Sequence, residues 1–224
     1  MTDASPTPDS PSNPGTPKFR RRAEARPDEV LDAALSLFSA QGYGHTTVDQ
    51  IAHRAGLSKG AVYLYFPSKR ALLEGLVRRA IGPVAGFAEG LGDSFRGDPR
   101  PLIARFLHIV AAALTNPHTL AVPKLVIREA MAAPEIAQLY RDEVLARALP
   151  ALQALLAQGV AGGFIRRVDP EMAARCVMGP IIAHLMLSEV FGVAPEGGLN
   201  LDRLIETHLA ILNAGLEPVA EERA

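Results

Sequence analysis

At 224 residues, 48% apolar and 21% charged, the chain has enough apolar material for one large or two small domains with a sizeable core. Its net charge is −1, so the whole-chain balance points to no polyanionic partner, yet residues 18–80 hold eleven Lys/Arg against six acids and the remainder is acidic. The one cysteine, Cys176, excludes an internal disulfide and a Cys-based zinc cluster; no secretory signal and no unbroken apolar run of roughly 18 residues is visible, so a soluble cytoplasmic protein with no membrane partner is expected.

Residues 1–17, "MTDASPTPDSPSNPGTP", have nothing to bury and read as a disordered Pro/Ser-rich tail. From Pro27 the pattern is helical: Val30, Ala33, Ala34, Leu37 and Phe38 share one face, Pro27 suits a first helical position, and Gly42 suits the left-handed stop. Thr47 and Gln50 form a capping box for a second helix, which buries Val48, Ile51, Ala52 and Ala55 and ends at Gly56. Ser58 caps a third helix, Lys59 to about Phe66. Pro67 and Ser68 restart the chain into a fourth, with a stripe of Leu72, Leu73, Leu76, Val77 and Ala80.

Further helices are expected from Pro101 to about Leu114, from Ala121 to about Ala132, and from Pro134 onward with a kink at Pro150. Asp169-Pro170-Glu171 opens the next, and Asn200 caps a last one that Gly215 stops. No β-alternation is visible. The fold class is all-α.

The second helix, the tight Gly56-Leu57-Ser58 turn and the short third helix have the form of a helix-turn-helix, whose second helix enters the DNA major groove. Two of the four tyrosines, Tyr63 and Tyr65, lie on that helix, where rings stack on sugars or thymine methyls and hydroxyls reach phosphate. Lys59 is placed for phosphate or guanine, Lys69 for phosphate, and Gly60 and Ala61 leave room for close approach, while Val62 and Phe66 face a small core.

"LFSAQGYGHTTVDQIAHRAGLSKGAVYLYFPSKRALLEGLV" resembles the amino-terminal domain of the tetracycline-repressor (TetR) family of bacterial transcription regulators. The likeness runs from about Val30 to Val77 and includes Gly42, Thr47, Ile51-Ala52, Ala55-Gly56, Ser58-Lys59-Gly60, Tyr63, Tyr65-Phe66 and Ser68-Lys69. It implies that Thr47 and Lys69 contact phosphate, and that Lys59, Gly60, Ala61, Tyr63 and Tyr65 form the DNA-facing side. "KFRRRAEAR", with Arg20, Arg21 and Arg22, resembles a basic arm laid along or into the minor groove. Ala61 and Leu64 offer only apolar contacts, so part of the specificity is expected from DNA shape.

The resulting domains are a tail, 1–17; a three-helix DNA-binding head with its arm, 18–70; and a larger helical effector-binding and dimerisation domain, 71–224, for about nine helices in the whole chain. The resemblance implies an unknown small-molecule effector bound between the fourth and eighth helices, with Phe87, Phe106, Leu125, Arg128, Met131, Tyr140 and His184 as candidates. Their apolar character favours a hydrophobic or amphipathic effector. "MAARCVMGPIIAHLMLSEVF" is apolar nearly all round, so it needs a second buried side, and a second copy of the chain is the natural partner. Cys176, Ile181, Leu185, Leu204, His208 and Ile211 are the candidates for that interface. No HExxH, nucleophile signature or phosphate loop is visible, so no enzyme, metal or cofactor is expected. The expected function is a repressor that binds a double-stranded palindromic operator as a homodimer and is released by its effector. The alternative is a helical binding module without specific DNA affinity.

Overall fold

A computed structural model describes residues 18–90, 95 and 97–218, with the side chains of 18–25, 83 and 85–90 excepted. The expected tail, and the side chains of Arg20, Arg21, Arg22 and Phe87, lie outside the described residues. Ten α-helices and no strand are found among them. They are α1 (Lys18–Gln41), α2 (Val48–Arg54), α3 (Lys59–Tyr65), α4 (Lys69–Gly90), α5 (Arg100–Leu114), α6 (Pro117–Glu129), α7 (Pro134–Tyr140), α8 (Ala146–Ala161), α9 (Pro170–Glu189) and α10 (Leu201–Leu216). The fold is all-α, as the sequence predicts.

The local signals act where expected. Gly42 and Gly56 take φ of 85° and 66° after α1 and α2. Thr47 Oγ1 accepts from Gln50 N at 3.3 Å, and Gln50 Oε1 accepts from Thr47 N at 2.9 Å, closing the capping box. Ser58 Oγ accepts from Ala61 N, and Asp169 Oδ1 from Glu171 N.

Four boundaries differ from the sequence reading. α1 starts at Lys18, with Pro27 inside it, because the Arg, Ala and Glu residues preceding the proline are good helix formers and the helix carries one lost bond. α6 starts at Pro117, not Ala121, because Asn116 Oδ1 accepts from His118 N at 2.9 Å and Thr119 N at 3.4 Å. The long helix from Pro134 changes register at a π segment, Arg141–Leu145, before reaching Pro150; Ala146 N–H bonds the Arg141 carbonyl five residues back. α10 runs through Gly215 to Leu216, whose carbonyl accepts from Arg166 N at 3.0 Å.

Two apolar clusters hold these helices. The first joins α1–α4 with Val122 and Leu125 of α6 and Ile136 and Leu139 of α7; the second joins α5, α8, α9 and α10. The residues up to 70 therefore do not close a core by themselves. α3, at seven residues, is too short to persist alone. Val62, fully buried, and Phe66 dock it, and burying such a valine contributes about 1.5–3 kcal/mol. Gly75 brings α4 close: a Cβ there would meet side-chain carbons of Leu31 and Phe66 at 3.0 Å.

The run Pro134–Ala161 is long and apolar enough to cross a membrane by length and composition. Leu152, Leu155 and Leu156 are buried in the second cluster and α8 packs on α9, while 22% of the apolar window is buried inside the chain.

Candidate nucleic-acid interface and ligand cavity

With Val62 turned inward, α3 presents Lys59, Gly60, Tyr63, Leu64 and Tyr65 to solvent. Leu64 is 84% exposed and stands between the exposed Tyr63 and Tyr65, so the three form one outward apolar row. A Cβ on Gly60 would find only Ser58 Oγ, at 4.0 Å, so no packing inside the protein demands glycine there. Ala61 is half-buried, and Thr47, at the head of α2, is exposed while its hydroxyl stays in the capping box.

Both lysines expected on phosphates have partners within the chain. Lys59 Nζ donates to Asp49 Oδ2 at 2.7 Å, an exposed pair on α2 and α3, and this bond raises the lysine above its ordinary pKa. A phosphate would exchange with Asp49 at small cost, since such surface pairs contribute little. Lys69 is different. Its Nζ donates to the Tyr43 carbonyl at 2.8 Å and stands 4.3 Å from the centre of the Tyr43 ring. Lys69 thus ties α4 to the turn that leads from α1 into α2.

That turn is also held from the other side. Glu129 Oε2 accepts from Tyr43 N at 3.1 Å, and Arg128 Nη2 donates to the Ser39 carbonyl at 3.2 Å. The end of α6 thus grips the end of α1. A second bridge lies at the other end of α6, in a polar recess of about 480 Å³ between α1, α4 and α6. There Arg79 Nη2 bonds Asp32 Oδ1 at 2.7 Å and Nη1 lies 3.5 Å from Asp28 Oδ1, with His118 Nδ1 3.4 Å from Asp32. Arg78 also bonds Glu143 of the π segment at 3.0 Å, and the guanidinium holds that carboxyl below the ordinary glutamate pKa.

Between the two clusters lies an apolar cavity of about 260 Å³. Its walls come from α4 (Ala80, Ile81, Val84), α5 (Phe106, Val110), α6 (Val122, Pro123, Val126), Tyr140, the π segment (Val144, Leu145), α8 and α9 (Met178, Ile181, Leu185). Of the expected pocket residues it brings together Phe106 and Tyr140. Leu125 is buried in the first cluster instead, and Arg128 is spent on Ser39. Met131 is 94% exposed on the turn after α6, and His184 Nε2 donates to the Leu199 carbonyl before α10. The sequence reading missed Val144 and Leu145, because their inward direction depends on the π register.

The interface candidates divide in the same way. Ile181 and Leu185 line the cavity from within, and His208 is buried with its Nε2 bonded to the Val177 carbonyl at 3.1 Å, cross-linking α10 to α9. These three are interior, because their stripe on α9 and α10 faces α5, α6 and α8. Leu204 is half-buried, whereas Cys176 and Ile211 are exposed, Ile211 by 68%. The outward face also carries Met172, Met186, Leu187, Val190 and Phe191, none of which the sequence reading named individually, while Ile182 borders the cavity.

Comparison with known proteins places these features in context. Residues 30–76 match the model described as "Bacterial regulatory proteins, tetR family", and residues 93–191 match "Tetracyclin repressor-like, C-terminal domain". An uncharacterized HTH-type transcriptional regulator, YuxN, of Bacillus subtilis is 52% identical over 44 residues, which span 20% of this chain and 15% of that protein. The fatty acid metabolism regulator protein of the same species is 27% identical over 157 residues, 68% of this chain and 78% of that one. The crystal structure of the regulator FadR from Bacillus subtilis in complex with stearoyl-CoA superposes with a TM-score of 0.67 at 23% identity, covering 85% of this chain and 99% of that chain, a likeness of fold.

Proposed function

Because this chain belongs to the tetR family of bacterial regulatory proteins, and is a ligand-responsive transcriptional regulator, we propose that it acts as a homodimeric repressor with its operator contacts on α3. The observation that carries this reading is the outward row on α3: Tyr63, Leu64 and Tyr65 stand exposed on a helix whose only buried residue is Val62. In a major groove, Gly60 and Ala61 admit the backbone, the tyrosines stack and donate, Leu64 meets thymine methyls, and Lys59 leaves Asp49 for a phosphate. Thr47 adds a phosphate contact at the head of α2, and the basic run Arg20-Arg21-Arg22 serves as an arm to the DNA. The relatives are transcription regulators, in keeping with this reading.

Dimerisation uses the outward face of α9 and α10, with Cys176, Met186, Leu187 and Ile211 at its centre. Contiguous exposed apolar surface of this kind marks an association site. Two α3 helices then meet successive major grooves about one helical turn, 34–36 Å, apart, so the operator is near-palindromic. The effector occupies the apolar cavity. α4 and α6 each line it and each grip the head, through Arg79 to Asp32 and through Glu129 to Tyr43 N–H. An effector that fits a wider cavity shifts these two helices and, through them, the spacing of the recognition helices. It releases DNA only by favouring that arrangement over the DNA-bound one.

Selection of bound duplexes from a random pool, at two salt concentrations, tests the reading. An enriched palindrome whose affinity falls steeply with salt supports it. Absence of enrichment with salt-insensitive behaviour would leave a helical binding module. Met186→Glu, which places charge on the outward face of α9, is expected to yield monomers by sedimentation and to abolish palindrome binding; a dimer that persists unchanged would remove that face from the interface.

A further inference from the structure

The cavity's polar atoms bear on what it holds. Among its described lining residues only Thr119 and Tyr140 bring hydroxyls, and no charged side chain reaches it. Tyr140 closes α7 at the junction with the π segment, and no described residue hydrogen-bonds its hydroxyl. Burial raises the phenol above its ordinary pKa, so at neutral pH it is a protonated donor. The Tyr140 hydroxyl opens onto this apolar cavity, where a ligand that supplies an acceptor gains a net hydrogen bond.

Size and charge narrow the class. A cavity of about 150 Å³ lined by Leu, Ile and Phe is enough for benzene. At about 260 Å³ this one admits a molecule of roughly two rings. A carboxylate has no cation to meet in this wall, and burying one unpaired is strongly unfavourable. Arg79, in the adjoining recess, already bonds Asp32.

We propose that the cavity selects an uncharged, apolar ligand of about two-ring size carrying one hydrogen-bond acceptor, and that the Tyr140 hydroxyl donates to that acceptor. This makes Tyr140 the residue that sets effector specificity, and it rests on the cavity being the effector site.

Calorimetric titration of the full chain with benzophenone and diphenylmethane tests it, since the pair differ by one carbonyl acceptor at nearly constant shape. Benzophenone is expected to bind about 2- to 12-fold more tightly, the range of one net hydrogen bond. Tyr140→Phe keeps the ring and removes the donor, so it erases that advantage and leaves diphenylmethane unchanged; thermal melting of the variant checks that it folds. Ala113→Leu, which fills the cavity, abolishes both titrations. Decanoate, apolar but anionic, binds more weakly than benzophenone. Equal binding of the two probes to the unaltered chain overturns the proposal while leaving the cavity as a site, as does equal weakening of both by Tyr140→Phe. Tightest binding by decanoate overturns the uncharged class. If neither probe binds, or both bind the Ala113→Leu variant undiminished, the cavity itself is not the effector site.

Discussion

Replacing Gly60 by alanine separates folding from DNA binding, because the two respond with opposite sign. Gly60 is the second residue of α3, exposed and outside the left-handed region, and a Cβ built on it meets only Ser58 Oγ at 4.0 Å. The methyl group therefore fits the isolated protein without displacing anything. Removing glycine's extra freedom from the unfolded chain stabilises by about 0.5–1 kcal/mol. At about 2–4 °C per kcal/mol for a chain of this size, Tm is expected to rise by roughly 1–4 °C. On the operator the same methyl stands between the α3 backbone and the base edges. A steric insertion of that size costs about 1–3 kcal/mol, or about 5- to 150-fold in affinity. Thermal unfolding gives the first number, and fluorescence anisotropy with the selected duplex at fixed salt gives the second. A raised Tm with unchanged affinity would refute close approach of α3 to DNA, and a lowered Tm would refute the claim that glycine is unnecessary for the fold.

Three further substitutions test other parts of the head. Lys59→Ala is expected to leave stability within about 0.5 kcal/mol. In titrations across salt it reduces the dependence of log affinity on log salt by about one phosphate contact; an unaltered slope would take Lys59 off the backbone. Lys69→Ala removes the bond to the Tyr43 carbonyl and the ring contact and is expected to destabilise by about 1–2 kcal/mol. Weakened DNA binding with an unchanged melting curve would return Lys69 to the phosphates. The carboxyl of Glu143 is held below the ordinary value, chiefly by its hydrogen bond from Arg78. Its contribution is present above the unfolded pKa of about 4.3 and disappears as pH falls through the lower folded value. Urea unfolding at pH 7 and pH 3 is expected to show a smaller acid loss for Glu143→Gln than for the unaltered chain, and equal losses would deny the pair its role.

The recognition helix was legible because its signals are local. Gly42 and Gly56, the Thr47–Gln50 box and Ser58 each act on a backbone group within three or four residues, and the sequence displays both partners. Asn116 is equally local, and its cap on α6 was open to the same reading. The inward face of α3 followed from Val62 and Phe66, four apart. The cavity and the outward faces of α9 and α10 were harder. α9 is apolar nearly all round, so periodicity cannot distinguish the side that packs on α8 from the side left for a partner, and Ile181 and Leu185 were assigned to the wrong one.

By itself, the sequence determined an all-α chain, a short helix-turn-helix with tyrosines on its second helix, and most of the helix ends. Those properties depend on neighbours along the chain. Tertiary structure alone decided that Lys69 serves Tyr43, that Arg128 and Glu129 hold the end of α1, that the π segment turns Val144 and Leu145 inward, and that Tyr140 stands without a partner in an apolar wall. Each depends on which helices meet across separations as large as the 89 residues between Ser39 and Arg128, where no local pattern records the partner.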